Sequence, residues 1–310
     1  MYRNYQEIQE KIKNLGRVTV SVAAAKDQDV LLAVKMAWEA GIAKGILVGD
    51  ETLIRPLMRE VGLPEDTPVM HEKEVTAAAL KAVTLVSSGE AQVLMKGLIN
   101  SSDFLRAALN KEKGLRTGRL LSHLSAFEIP GWEKLIFITD GGMNIAPSLQ
   151  EKKEILINGM LSLQDMGIDH PRVGLLTANE VVNPKMPATV DAKMLSDMAA
   201  AGELPPGIIE GPIALDVAVS SEAARHKGLS SQVSGQVDLL VVPNIETGNA
   251  LGKSIIYFAR GKMAGIVLGA SHPIVMTSRA ETPEGKLNSI ALACLVHSSK
   301  KREGESPCQK

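Results

Sequence analysis

Leu239-Leu240-Val241-Val242-Pro243 is followed, three residues on, by Thr247-Gly248-Asn249-Ala250-Leu251-Gly252-Lys253-Ser254. The first run is apolar throughout, which suits a strand covered on both faces in a parallel sheet. The second turns on small residues and opens a helical segment. Strand, glycine turn and helix start is the layout that brings free backbone N–H groups against an anion. Similar apolar runs recur at residues 18–22, 45–49, 93–95, 135–139, 173–177 and 265–269, with helical periodicity between them. Asp27 is placed to cap a helix with Val30, Val34, Ala37 and Trp38 on one face, and Gly41 to end it. Ser148 and Glu151 read as a capping box ahead of Leu156, Met160 and Leu163. Strand and helix alternate, so the chain reads as α/β, with mostly parallel sheets flanked by helices.

Bulk properties narrow the function classes. The chain has 310 residues, enough for two domains at roughly 100–200 residues each. A border is expected near residues 140–148, where Asp140-Gly141-Gly142 breaks the chain. A net charge of −1 offers no basic field for nucleic acid, and 3% aromatic residues offer few stacking surfaces. The two cysteines, Cys294 and Cys308, come too late in the chain to staple the fold. The start of the chain is polar and no apolar run reaches the ~18 residues of a membrane span. A soluble, cytoplasmic protein is expected, with neither nucleic acid nor membrane as partner. The polar tail 298–310 is expected to fray.

Three segments could carry chemistry. The glycine turn at residues 247–254 is one residue short of a P-loop, which argues against nucleotide hydrolysis. An ordinary helix start with close packing would use the same residues. Ser271 to Arg279 follows the run at 265–269, where open α/β sheets bind their ligands. Arg279 could pair bidentately with phosphate, and Ser278 could bond a thiol or an oxyanion. Thr282, Pro283 and Glu284 also suit a capped helix start. In the third segment, Lys96 and Arg106 flank the hydroxyls Ser101 and Ser102, a set able to hold an anion. The six histidines have no ligand-like spacing, so no metal is expected. Cys294 lies in an apolar run and reads as a buried small hydrophobe. Asp216 is an acid in a strand-like segment, Ala214 to Ala218.

Taken together these segments resemble the phosphate acetyl/butyryltransferase family. The matching pieces are Lys96-Gly97 with residues 100–109, Thr139-Asp140-Gly141-Gly142-Met143-Asn144 with Pro147, and Glu210 to Asp216. They continue with Ser234 to Asp238, Val242-Pro243-Asn244 with Thr247-Gly248-Asn249, and Pro273-Ile274 with Ser278-Arg279. Within the family the chain is most similar to the butyryltransferase branch. Acetyltransferases carry tyrosine before lysine in the glycine turn, where this chain has Gly252-Lys253. They also carry an aspartate, proposed as base for the thiol, where alignment on Asn288 puts Gly285. Glu284 and Glu281 are then the candidate bases.

The resemblance implies two α/β domains like those of isocitrate and isopropylmalate dehydrogenases, with the active site in the cleft. It implies a discontinuous first domain, 1–141 plus 267–310, and a second, 142–266. It further implies an enzyme: an acyltransferase moving a butyryl group reversibly between CoA and inorganic phosphate, by direct thiol attack in a ternary complex. Ser278 would orient the thiol, Arg279 would hold the phosphate, and Glu284 or Glu281 would take the proton. Lys96, Ser101, Arg106, Asn144, Thr247, Gly248, Asn249 and Lys253 would bind substrates. No cofactor is implied beyond CoA or acyl-CoA as substrate, no metal, and a homodimer or larger homo-oligomer. Alternatives are a phosphate acetyltransferase and an inactive member that senses CoA or acyl phosphate. A dehydrogenase on the related fold would need a cluster of metal-binding aspartates, and the sequence shows none.

Overall fold

In a computed structural model, which describes residues 1–278 and 280–304 and side chains through Ser298, the chain opens with α1 (Tyr5–Lys13). Tyr5, Ile8 and Ile12 fall on one face of it and are buried. β1 (Val18–Ala23) is buried along nearly its whole length, as its apolar run requires. Asp27 caps α2 (Gln28–Glu39) by accepting from the Val30 N–H at 2.9 Å. Gly41, at φ +73°, supplies the left-handed turn that releases the chain into β2 (Ala43–Gly49). Next come α3 (Glu51–Val61), β3 (Val69–His71), α4 (Val75–Ser87), β4 (Val93–Lys96) and α5 (Ser101–Ala108).

A second run of elements follows. It comprises β5 (Ser122–Glu128), β6 (Ile136–Thr139), α6 (Leu149–Asp165), β7 (Arg172–Leu176), α7 (Pro187–Ala200) and β8 (Ile208–Ile213). It continues with α8 (Leu215–Val219), α9 (Ser221–His226), β9 (Leu239–Val241) and α10 (Ile245–Tyr257). The capping box at Ser148 and Glu151 forms as expected and starts α6. The chain closes with β10 (Lys262–Leu268), β11 (Ile274–Val275) and α11 (Pro283–Gly304). α11 carries part of the tail expected to fray, while Cys308 lies outside the described residues.

By internal contacts the chain divides into two bodies. One is Leu120–Lys262; the other is Tyr2–Arg119 together with the chain from Met263 onward. β5 and β6 fall in the inserted body because they pair with each other and β6 pairs with β9. Its border is therefore at Leu120 and Lys262, where the sequence reading drew 141/142 and 266/267.

In the discontinuous body the strand order is β3-β2-β1-β4-β11-β10, and β1, β2, β3, β4 and β11 run parallel. Residues 290–296 of α11 are buried on every side, against α1 and α2 among others. Full burial at roughly 1.5–3 kcal/mol for each large aliphatic makes α11 a main support of this body. Cys294 sits there, and desolvation pushes its thiol far above the ordinary range. In the inserted body the order is β5-β6-β9-β7-β8, parallel except for the β5–β6 pair. The α/β class with mostly parallel sheets stands as read.

Asp216 corrects one expectation. It lies in the first turn of α8, not in a strand, because β8 ends at Ile213. Its side chain is exposed and pairs with Lys227 at 2.9 Å, whose hydrogen bond holds the carboxyl below its usual range. No helix among the described residues is long and apolar enough to cross a membrane.

Candidate active site

Two clusters of candidate residues sit at the carboxyl ends of parallel strands, one in each body. In the inserted body, Thr139 of β6 is in register with Val241 of β9. Parallel pairing sets the turn after β6 beside the start of α10. Asp140 organises that turn. Its carboxylate is 2% exposed and accepts from five N–H groups. These are the backbone of Gly142 and Met143 at 2.8 Å, His123 at 3.1 Å, Asn144 at 3.3 Å, and the Asn144 amide at 2.6 Å. Charge-assisted bonds of this kind are each worth about 1.5–3 kcal/mol, so the turn is held as one unit.

Gly141 then presses directly on α10. A Cβ on Gly248 would lie 2.6 Å from Gly141 Cα, and one on Gly141 would lie 2.8 Å from Gly248 C. Both positions must therefore be glycine. Asn249 extends its amide toward Gly141 O at 3.4 Å. Thr247 gives both of its donors, N–H and hydroxyl, to the Asn244 side chain at 3.0 and 2.7 Å, so this helix start is capped from within. Lys253 is exposed one turn later. The Asn144 amide is likewise engaged, with Leu121 O at 2.9 Å and with Asp140.

His123 backs the turn. Its ring lies against Gly142, where a Cβ would come within 2.9 Å of it, and Nδ1 is 3.2 Å from Ser125 Oγ. Burial pushes the imidazole pKa down, while the charge of Asp140 opposes the shift. The ring is thus biased to its neutral form at neutral pH.

In the discontinuous body, Lys96 ends β4 opposite Ala23 of β1, and Val275 of β11 pairs with Met95. The carboxyl ends of three parallel strands thus share one edge, the ligand-binding edge of an open sheet. Lys96 is 6% exposed, with Nζ 3.5 Å from Gly97 O. Gly97 passes so close to β1 that a Cβ there would lie 2.5 Å from Ala24 O. Ser101 opens α5 on the surface, and Arg106 pairs with Asp103 at 2.8 Å with most of its guanidinium in solvent.

After β11 the chain reaches Ser278, which is exposed. Its Oγ accepts from Ala280 N at 3.3 Å and its carbonyl from Glu281 N at 3.1 Å. Arg279 lies outside the described residues. Thr282 caps α11 by accepting from Gly285 N at 3.1 Å, and Glu284 is exposed in the first turn. Glu281 is half-buried, and its carboxylate fills the space over Gly285. Lys286 is 3% exposed, donates to Glu281 O and stands 3.9 Å from Asp29, so it ties Glu281 to the body.

Sequence reasoning singled out neither His123 nor Lys286, and took Asp140 only as part of the chain break at 140–142 and of the family-like run Thr139 to Asn144. The one signal was Asp140 itself, an acid directly after an apolar strand.

Comparison with known proteins bears on the chain as a whole. Residues 66–294 match the family model described as phosphate acetyl/butaryl transferase. The chain is 46% identical to the phosphate butyryltransferase of Clostridium acetobutylicum, over 97% of this chain and 100% of that one. It is 38% identical to the phosphate acetyltransferase of Thermotoga maritima, over 94% of this chain and 98% of that one. Among solved structures, a branched-chain phosphotransacylase from Enterococcus faecalis superposes with a TM-score of 0.81 at 36% identity, covering 90% of this chain and 99% of that one. The candidate residues of both strand-end clusters lie within the matched stretch, and the identity runs through nearly the whole chain: it belongs to the phosphate acetyl/butaryl transferase family.

Proposed function

We propose that this chain moves a butyryl group, reversibly, between coenzyme A and inorganic phosphate. The observation that carries this reading is the 46% identity to a phosphate butyryltransferase along its entire length, against 38% to a phosphate acetyltransferase. The chain is accordingly an acyltransferase. CoA and acyl-CoA serve it as substrates, with no prosthetic group in the reaction. We place it in the cytoplasm, as a homodimer or larger homo-oligomer.

The proposed chemistry is direct. In the CoA-acylating direction the thiol gives its proton to a carboxylate, and the sulfur attacks the carbonyl of butyryl phosphate. The carbonyl–oxygen bond to phosphate then breaks, and phosphate leaves. A free thiol has pKa about 8.5, so a nearby base is needed at neutral pH. Glu281 fits that task better than Glu284. Its carboxylate covers Gly285, whereas Glu284 is exposed at a helix start that already explains its presence. Ser278 would orient the thiol. Arg279 would hold phosphate and offset its growing charge. Lys96, a buried cation at a strand end, would add to that field, with Ser101 and Arg106 at the rim of the same edge. In the inserted body, Gly248 and Asn249 are proposed to bind substrate, and Thr247 and Asn144 to hold that turn in shape. Lys253 would offer a surface charge to an anionic ligand. Alignment of the two substrates supplies much of the acceleration, without a covalent enzyme intermediate.

The test is phosphate-dependent release of CoA thiol from acetyl-, propionyl-, butyryl-, valeryl- and hexanoyl-CoA. A maximum of kcat/KM at butyryl is expected. A maximum at acetyl would make the chain an acetyltransferase, and no turnover with any of them would make it a binding protein.

A further inference from the structure

Lys286 is buried, and its partners set it apart from the other lysines of low exposure. Lys134 bonds the Asp238 carboxylate, and Lys152 bonds Asp191 at 2.7 Å. Lys286 instead donates to a main-chain carbonyl, Glu281 O, and the Asp29 carboxylate stands 3.9 Å away with 53% of its side chain exposed. Burying an ammonium is unfavourable, and a loose pair with a solvated carboxylate offsets this only in part. Its position adds to the penalty. Lys286 lies four residues past the Thr282 cap, in the opening turn of α11, where the helix dipole disfavours a cation. Asp29 lies in the first turn of α2, where an acid is favoured, and Asp27 caps that turn. Stability alone does not account for a lysine at 286, because an apolar side chain of the same length would fill the space without a buried charge.

We propose that Lys286 is a positioning residue for the thiol base, fixing Glu281 so that its carboxylate stays over Gly285. The inference rests on the acyl transfer and on the role of Glu281 proposed above. The link between the two residues is short. The Glu281 N–H donates to Ser278 O at 3.1 Å and the Glu281 carbonyl accepts from Lys286, so both main-chain groups of the base are held. From that fixed backbone the carboxylate reaches the volume a Cβ on Gly285 would need. Asp29 steadies the ammonium from α2, the helix that follows β1. The turn after β11 is thereby tied to the start of α2, near the edge that also carries Lys96. Displacing a reacting group by about 1 Å can lower a rate roughly 100-fold.

The experiment measures kcat with CoA and butyryl phosphate from pH 6 to 9, with thermal melts to establish folding. The variants are Lys286→Met, Asp29→Asn, Glu281→Gln, and Lys286→Met combined with Glu281→Gln. Lys286→Met should lower kcat roughly 10–100-fold near pH 6–7, with the loss shrinking toward pH 9 as the thiol ionises unaided. In the Glu281→Gln background the same change should lower kcat by less than about threefold, because the group it positions is already gone. Asp29→Asn, at an exposed carboxylate, should lower kcat about two- to fivefold with the same pH dependence. A loss of equal size at every pH that multiplies in full with that of Glu281→Gln marks a purely structural lysine and overturns the proposal. A wild-type profile from folded Lys286→Met overturns it too. If Lys286→Met does not fold, Asp29→Asn decides, and a wild-type profile from that variant overturns the proposal. Failure of the underlying reading is distinct: Glu281→Gln would keep wild-type rates at every pH, or the wild-type chain would turn over no acyl phosphate at all.

Discussion

The Glu281 carboxylate occupies the space that any side chain at Gly285 would need; a Cβ built on that glycine overlaps it. The two positions therefore compete for one volume at the start of α11. An acid reaching that volume from 281 replaces one growing from 285. On this account Glu281→Gln lowers kcat by ~10²–10⁴ in the thiol-attack direction, with the smallest loss at high pH where the thiol ionises unaided. Glu284→Gln keeps near-normal kcat. The double variant Glu281→Ala with Gly285→Asp regains activity over Glu281→Ala alone. Steady-state rates from pH 6 to 9 check all three, and a large loss in Glu284→Gln alone would reverse the assignment.

Arg279→Ala tests the phosphate site. Loss of one charge-assisted bond, about 1.5–3 kcal/mol, lowers kcat/KM for phosphate roughly 10–150-fold. The KM for acyl-CoA should change far less. Wild-type phosphate kinetics from a folded variant would remove Arg279 from the site.

Asp140→Asn tests the turn. The amide keeps one acceptor oxygen and turns an NH2 group toward N–H groups that cannot accept from it. The loss of at least two of five bonds should cost about 3 kcal/mol or more. Calorimetry should show the melting temperature of at least one transition reduced by several degrees, with activity reduced alongside. A melting curve identical to wild type would mean the bonds are not maintained in solution.

His123 should make stability depend on pH. Its folded pKa lies below the ordinary value of 6.5 because of burial. As pH falls the unfolded chain takes up this proton first, so stability present above about pH 6.5 is lost below it. Wild-type melting temperature should drop between pH 7.5 and 5.5, and His123→Gln should show a shallower drop. Equal slopes in the two proteins would show that His123 titrates alike in both states.

Much of the fold was legible because its central strands are continuous apolar runs. All seven runs read from the sequence formed strands, from β1 at Val18 to β10 at Leu268. The four unread strands each lack that signal. β5 mixes Ser122, His123 and Ser125 with apolar residues, β8 contains Gly211-Pro212, and β3 and β11 are three and two residues long. Such strands form because partners pair with them, a property of the tertiary fold. The site was legible where motif and strand end coincide, as at Lys96 and Gly248. The partners of Asp140 were not, because the contact with His123 spans 17 positions and depends on two strands lying side by side. The capped state of Thr247 depends on the rotamer of Asn244, and the covering of Gly285 on that of Glu281. No spacing rule encodes either.

The place of β11 has a consequence for synthesis. It lies between β4 and β10 in the interior of its sheet, and residues 290–296 of α11 are buried on every side in the same body. A ribosome finishing α5 has made most of that sheet but not these parts. The inserted stretch of roughly 140 residues must come first, a delay of about 7–30 s at ~5–20 residues per second. During that interval β4 presents an unpaired edge and α1 and α2 present uncovered apolar faces. The inserted body, whose strands are all contiguous in the chain, is free to fold in the meantime. A nascent chain arrested near residue 262 should therefore hold one folded body and one that still needs a chaperone.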